Sequence, residues 1–321
     1  VWQLHTERAH HIVLISDLHV GALLAPIPFE YDDEGVGFAF REWVRGCFAE
    51  FFESFVPRVT NNEPFVLVVN GDLIHGEWHR FGPLAIKSAV KQTRAARDLL
   101  NPHAAKASAI YIIEGTEVHS HDNEADIAEE LLKIGNVRPS SESPSHKSLS
   151  LMLGGKHHRF RHHTSTAGRA WTEASGQANH LADDILRCVR AGIQRPDVLC
   201  LAHRHVPGLT LDSNGMSIVT PAWSGVDRHA RKVTREDFGV IGGSVLSYAG
   251  REKGEFPDVR FYTRSVVESV GESARSRGGV AASTARAGRT DGGDAGGAAW
   301  AESRGSRATA QKAGARRKGA K

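Results

Sequence analysis

Cysteine is scarce in this chain: Cys47, Cys188 and Cys200 lie far apart among 321 residues, with no CxxC spacing. That argues against a disulfide scaffold and a thiolate-type structural zinc site, and it fits a reducing compartment. Long apolar runs are also missing. No uninterrupted stretch approaches the roughly 20 residues that a membrane-spanning helix needs. The early strand-like run at 12–20 carries Ser16, Asp17 and His19, which do not suit the apolar core of a signal peptide. The chain begins at Val1, which leaves room for an upstream segment. The expectation is a soluble, cytoplasmic protein without a membrane partner. No internal repeat is visible.

From about residue 271 onward large apolar side chains almost vanish, Trp300 apart, and Gly, Ala, Ser, Arg and Thr take over. Such a segment buries too little surface to offset its ordering entropy, so 271–321 is expected to be a disordered tail and 1–270 a single domain. The formal charge of +3 is divided unevenly between the two. The tail holds 11 Lys/Arg against 4 Asp/Glu, and the rest holds 29 against 33. A basic tail of this kind either holds a polyanion such as nucleic acid through counterion release or is a solvated appendage.

What remains is an ordinary globular composition, 40% hydrophobic and 24% charged, with an unusual 18 histidines. Residues 11–16 and 65–69 read as buried strands, and 109–113 as a third. Phe40, Trp43, Val44, Cys47, Phe48, Phe51, Phe52 and Phe55 recur at three- and four-residue spacing. This predicts an amphipathic helix ending near Pro57, its aromatic stripe being core packing. A helix is expected over 83–100, opened by Pro83 and stopped by Asn101-Pro102. Another is expected over 123–134, with Gly135-Asn136 at its end. Further on come a hairpin over 149–163 turning at Gly154-Gly155, a helix over 171–191, and a strand over 197–202. More strands follow over 209–265, turning at Asn214-Gly215. Strand–helix alternation followed by strands indicates an α/β sandwich.

Four of these strand ends carry hard-metal ligands: Asp17-Leu-His19, Gly71-Asp72, His162-His163 and His203-Arg204-His205. Side chains alternate along extended chain, so Asp17 with His19, and His203 with His205, are expected to face one way. Carboxylate oxygen combined with imidazole nitrogen suits Mn, Fe, Zn or Ni.

In this order, SDLH, NGD, a glycine loop at 115–119, HH and AHRH resemble the motif series of the calcineurin-like metallophosphoesterase superfamily over roughly residues 10–265. The resemblance implies a four-layer α/β/β/α sandwich with two divalent metal ions at the strand ends. Asp17, His19 and His205 would hold one, His162 or His163 with His203 the second, and Asp72 would bridge them. Two departures stand out. Ala202 replaces the usual Gly before H-x-H, and Gly115-Thr116-Glu117-Val118-His119 replaces Gly-Asn-His, so the usual Asn ligand is absent. Thr116, Glu117, His119, Asp122 and Asn123 are the alternatives for its place. The GTxxH spacing resembles some phage-type members of the superfamily.

The chemistry implied is phosphoester hydrolysis, in which two cations neutralise the phosphoryl oxygens and lower the pKa of an attacking water. His119 is the candidate general acid for the departing alkoxide, with metal or outer-shell ligation as the competing role. His75 and His79 are candidates for gripping phosphate or orienting the metals, or are plain loop residues. Trp223 lines the cleft or sits in the core. Arg204 is expected to point away from the metals as a surface or salt-bridge residue, and His157, His158, Arg159 and Arg161 to be solvated strand positions. Three function classes follow: a small-molecule phosphomonoesterase or phosphodiesterase; a DNA or RNA nuclease, since SDLHVG and GDLIHG resemble the repair-nuclease branch; and a non-catalytic binding scaffold.

Overall fold

A computed structural model of the chain describes residues 3–77, 84–119, 123–133, 136–163, 173–225 and 239–267. His79, Asp122 and the tail at 271–321 lie outside these ranges.

The strands are β1 (Leu4–Thr6), β2 (His11–Ile15), β3 (Phe65–Asn70), β4 (Ala109–Ile113), β5 (Leu149–Leu153), β6 (Lys156–Phe160), β7 (Val198–Leu201), β8 (Gly208–Asp212), β9 (Gly215–Val219), β10 (Val240–Ser247) and β11 (Asp258–Ser265). The helices are α1 (Phe38–Glu50), α2 (Val56–Thr60), α3 (Ala89–Ala104), α4 (Asn123–Leu132) and α5 (Glu173–Arg190). One sheet has the order β11-β10-β2-β3-β4 and the other β1-β5-β6-β7-β9-β8.

Strand alternation builds the layers. Ile12, Leu14, Val66, Val68, Tyr111 and Ile113 point into the space between the sheets, where they meet Phe160, Val198, Cys200 and Ile218 from the other side. Their neighbours Val13, Ile15, Leu67, Val69, Ile110 and Ile112 point outward into a second core with α1 to α4. Leu199, Leu201 and Val219 form a smaller core with Leu181 of α5. The result is the expected α/β/β/α sandwich. The central strands are apolar at nearly every position because both of their faces are covered. β2, β3 and β4 run parallel, as do β6, β7 and β9, so their carboxyl ends open at one rim of each sheet.

Three sequence expectations need correction. The aromatic helix does not end at Pro57. It passes through a π-helical turn at Phe51–Phe55 and restarts as α2, with Pro57 in the first turn, where a missing N–H costs nothing. It stops instead at Asn61 and Asn62, both left-handed. The helix expected over 83–100 begins at Ala89, after Ser88 in an extended conformation, and runs through Pro102 to Ala104. A proline two residues from a helix end removes one hydrogen bond from a turn that is ending anyway. Strand β1, paired parallel with β5, was not foreseen, since Leu4-His5-Thr6 is too short to show a pattern. Among the described residues no helix is long and apolar enough to cross a membrane.

Candidate metal centre

The loops leaving β2 and β3 stay side by side beyond the sheet. The N–H of Asp17 donates to the Gly71 carbonyl (3.1 Å), that of His19 to Asp72 (2.9 Å), and that of Val20 to Leu73 (3.0 Å). Asp17, His19, Asp72, His203 and His205 all adopt positive φ, between 45° and 71°. A left-handed backbone costs a residue with a β-carbon on the order of 1 kcal/mol, and such strain gathers at functional sites. The sequence reading placed Asp17 with His19, and His203 with His205, by extended-chain alternation. The pairs do come together, but through kinked loops rather than continued strands.

The side chains converge on the Asp17 and Asp72 carboxylates, both buried. His205 Nε2 lies 3.3 Å from Asp17 Oδ1. His162 Nε2 lies 3.1 Å from Asp72 Oδ2 and 3.8 Å from Asp17 Oδ1. His19 Nε2 stands 3.9 Å from both carboxylates and 3.3 Å from His205 Nε2. His203 Nδ1 is 4.0 Å from Asp72 Oδ2, and its backbone N–H donates to Asp17 Oδ2 (3.2 Å). Two overlapping sets with metal-ligand spacing result: Asp17, Asp72, His162 and His203, and Asp17, His19 and His205.

Charge explains what this pocket accepts. Burial alone would raise both aspartate pKa values, but the facing His205 and His162 hold Asp17, and His162 holds Asp72, well below the usual carboxylate range. Burial pushes His162 down, yet Asp72 and Asp17 reverse it and raise its pKa to about 10. Two buried anions therefore draw in positive charge. Several donor atoms also lack hydrogen bonds: Asp17 Oδ1 and His162 Nε2 are buried and have none among the described residues. His162 Nδ1 donates to the Asn70 carbonyl (2.6 Å), so Nε2 is the ring nitrogen that faces the carboxylates, protonated in the imidazolium and a ligand atom once that proton is displaced. Lone pairs from oxygen and nitrogen meeting across a buried gap fit a divalent cation.

The loop after β4 departs from the expected pattern. Thr116 donates its N–H (2.7 Å) and its hydroxyl (3.0 Å) to Asp72 Oδ1, so it orients that carboxylate and belongs to neither set. Gly115 has to be glycine here, because a β-carbon would collide with the Asp72 backbone and carboxylate. Glu117 is exposed, and the Asn123 side chain accepts a hydrogen bond from Thr93. His119 Nδ1 donates to the His75 carbonyl (2.8 Å), and its ring lies 4.6 Å from that of His19. His19, His75 and His119 form a third set with metal-ligand spacing, which the motif comparison had not suggested. The signal available was the i, i+3 offset between Asp72 and His75.

Of the histidine pair, His162 enters the pocket, while His163 is exposed and stacks on His203 at 4.8 Å. Trp223 is a core residue, against Phe48, Phe51 and Tyr262, although its backbone N–H donates to the Asp17 carbonyl (3.2 Å). His157 and His158 are not solvated but fully buried. His157 donates from Nδ1 to the Arg195 carbonyl, and His158 receives the Tyr248 hydroxyl at 2.8 Å. Arg159 and Arg161 share Asp184, at 3.6 and 3.3 Å. Of the two alternatives for Arg204, a surface position is excluded, since its side chain is buried.

A two-sheet sandwich flanked by helices, with Asp17, His19, Asp72, His162, His203 and His205 meeting at its strand ends, decides the architecture. The fold is an α/β/β/α sandwich, the architecture that the sequence resemblance implies. No family model and no curated protein matches the chain by sequence. Solved structures that this chain is similar to include an archaeal phosphodiesterase, 10% identical over 79% of this chain and 99% of that one, with a TM-score of 0.39. Vps29 of Entamoeba histolytica in complex with Zn is 11% identical over 80% and 99%, with a TM-score of 0.38. Vps29 of Chaetomium thermophilum is 12% identical over 80% and 98%, with a TM-score of 0.37. Similarity at this level says nothing of what this chain acts on.

Proposed function

We propose that the chain is a hydrolase of phosphoester bonds that depends on two divalent cations drawn from Mn, Fe, Zn or Ni. One observation carries this reading: two buried carboxylates and four imidazoles from separate strand ends form two overlapping ligand sets that share Asp17. Asp17, His19 and His205 would hold one ion, and Asp72, His162 and His203 the other. Asp72 Oδ2 also stands 3.9 Å from His19 Nε2, which suits a bridging role. Ions held there would neutralise phosphoryl oxygens and lower the pKa of an attacking water.

The remaining work falls to the chain's own groups. His119 has its Nδ1–H committed to the His75 carbonyl, so its Nε2 is the position from which a proton would reach the departing alkoxide. Thr116 keeps the Asp72 carboxylate oriented through two donated hydrogen bonds. His75, buried beside this ring, would be the group that faces a phosphoryl oxygen.

Metal-stripped protein reconstituted with each ion should be assayed on an aryl phosphate monoester, an aryl phosphate diester and single-stranded DNA. Turnover that appears only with added metal, on at least one of the three, supports the proposal. No hydrolysis by any ion-loaded sample would overturn it and leave a binding scaffold. Preference for DNA that falls steeply with salt and is lost on removing 271–321 would make the substrate a nucleic acid. Unchanged turnover of a small ester after the same truncation would make it a low-molecular-weight ester.

A further inference from the structure

Gln92 belongs to α3, outside every metal motif, and is fully buried. Its amide makes three hydrogen bonds, all to backbone. Oε1 accepts the Gly76 N–H (2.8 Å), while Nε2 donates to the Gly76 carbonyl (3.0 Å) and the Ile86 carbonyl (2.7 Å). A side-chain amide thus pairs with Gly76 as a neighbouring peptide group would. It does so where the ladder between the two ligand loops stops, one residue past the rung from the His75 N–H to the Val20 carbonyl (3.1 Å). The same side chain packs against Gly21, at φ +106°, where any β-carbon would collide with it. One residue is thus hydrogen-bonded to the residue that follows the Asp72–His75 loop and packs against the residue two beyond His19.

The contact reaches further. Gly76 directly follows His75, whose carbonyl receives the His119 Nδ1–H at 2.8 Å. Gly76 also packs against the backbone carbonyls of Val118 and His119, within 3.2 Å of where its β-carbon would stand. Displacing the Gly76 peptide would shift both the carbonyl that orients the His119 ring and the surface on which that loop rests.

We propose that Gln92 is a positioning residue for His119: by fixing the Gly76 peptide it fixes the direction in which the His119 Nε2 proton is delivered. This rests on the reading of His119 as proton donor. Gly76 and Ile86 are buried, so satisfying their backbone groups, a purely structural role, is the competing account.

Gln92→Met keeps the length of the side chain and removes the amide, while Gln92→Glu keeps an acceptor for the Gly76 N–H. Metal content, the hydrogen-exchange rate of the Gly76 amide, and turnover of an alkyl and an activated aryl phosphate ester are compared. Expected for Gln92→Met are wild-type metal content, faster Gly76 exchange, and a loss on the order of tenfold or more on the alkyl ester with much less on the aryl ester. The double variant Gln92→Met/His119→Ala should be no slower than His119→Ala, because both changes remove the same proton delivery. Gln92→Glu should fall between, and it carries the same comparison if Gln92→Met fails to fold. Equal slowing of both esters, additive with His119→Ala, would make Gln92 structural only. If His119→Ala itself slows both esters alike, the proton-donor reading fails and this inference falls with it; if His119→Ala is selective and the Gln92 variants are not, Gln92 alone is refuted.

Discussion

His162 presents Nε2 to Asp72 Oδ2 at 3.1 Å while its other ring nitrogen is tied to the Asn70 carbonyl at 2.6 Å. The carbonyl ties down Nδ1, which leaves Nε2 as the nitrogen turned towards the two carboxylates. His163, next in sequence, stacks on His203 from an exposed position. His162→Ala is therefore expected to lose one equivalent of bound metal, whereas His163→Ala keeps both. Elemental analysis by mass spectrometry after gel filtration checks this, and equal losses would contradict it.

His119→Ala should slow esters with poor leaving groups more than activated aryl esters, with metal content unchanged, if the ring supplies a proton. Its place beside His19 and His75 offers a different outcome. Loss of metal together with equal slowing of both ester classes would make it a ligand.

A group remote from the pocket, His158, contributes to acid stability. Burial pushes the His158 pKa down from 6.5 to about 4, where Nδ1 faces the Leu151 carbonyl and Nε2 receives the Tyr248 hydroxyl. The neutral ring is favoured in the folded state, so its contribution is complete above pH 6.5 and is lost as pH falls from 6.5 towards 4. The loss amounts to roughly 3 kcal/mol over that window. Urea unfolding of metal-free protein at several pH values should show a shallower acid decline in His158→Gln than in the wild type. Parallel curves would refute the assignment.

The residues that could be read without a structure are those whose chemistry and position coincide. Strands such as β2 and β3 are apolar on both faces and end abruptly in Asp17 and Asp72, which makes them and their polar ends legible together. Gln92 could not be found this way, since a glutamine on a helix face reads as solvated until the Gly76 peptide is seen to occupy it. His157 and His158 were misread for the same reason: their burial depends on partners 38 and 90 residues away. The left-handed backbone at five candidate ligand positions leaves no mark in the sequence, because Asp and His tolerate it only when the surrounding loops impose it. Pro57 and Pro102 misled because a proline's effect depends on which turn of a helix it occupies.

Trp223 links the core to the site. Its ring packs between Phe48, Phe51 and Tyr262, and its backbone N–H holds the Asp17 carbonyl. Trp223→Ala should cost about 3–5 kcal/mol in chemical denaturation through the cavity it leaves. It should also weaken metal affinity, by loosening the loop that carries Asp17. A large stability loss with unchanged affinity would separate the two roles.

The metal stoichiometry of Asp72→Asn beside the wild type, with turnover of the best generic ester on the same samples, tests the central claim most directly. Wild-type protein should bind two equivalents and hydrolyse the ester, while the variant should bind fewer and show no turnover. Full metal content and full activity in Asp72→Asn would contradict the account, because a bridging carboxylate cannot be neutralised without consequence for both ions.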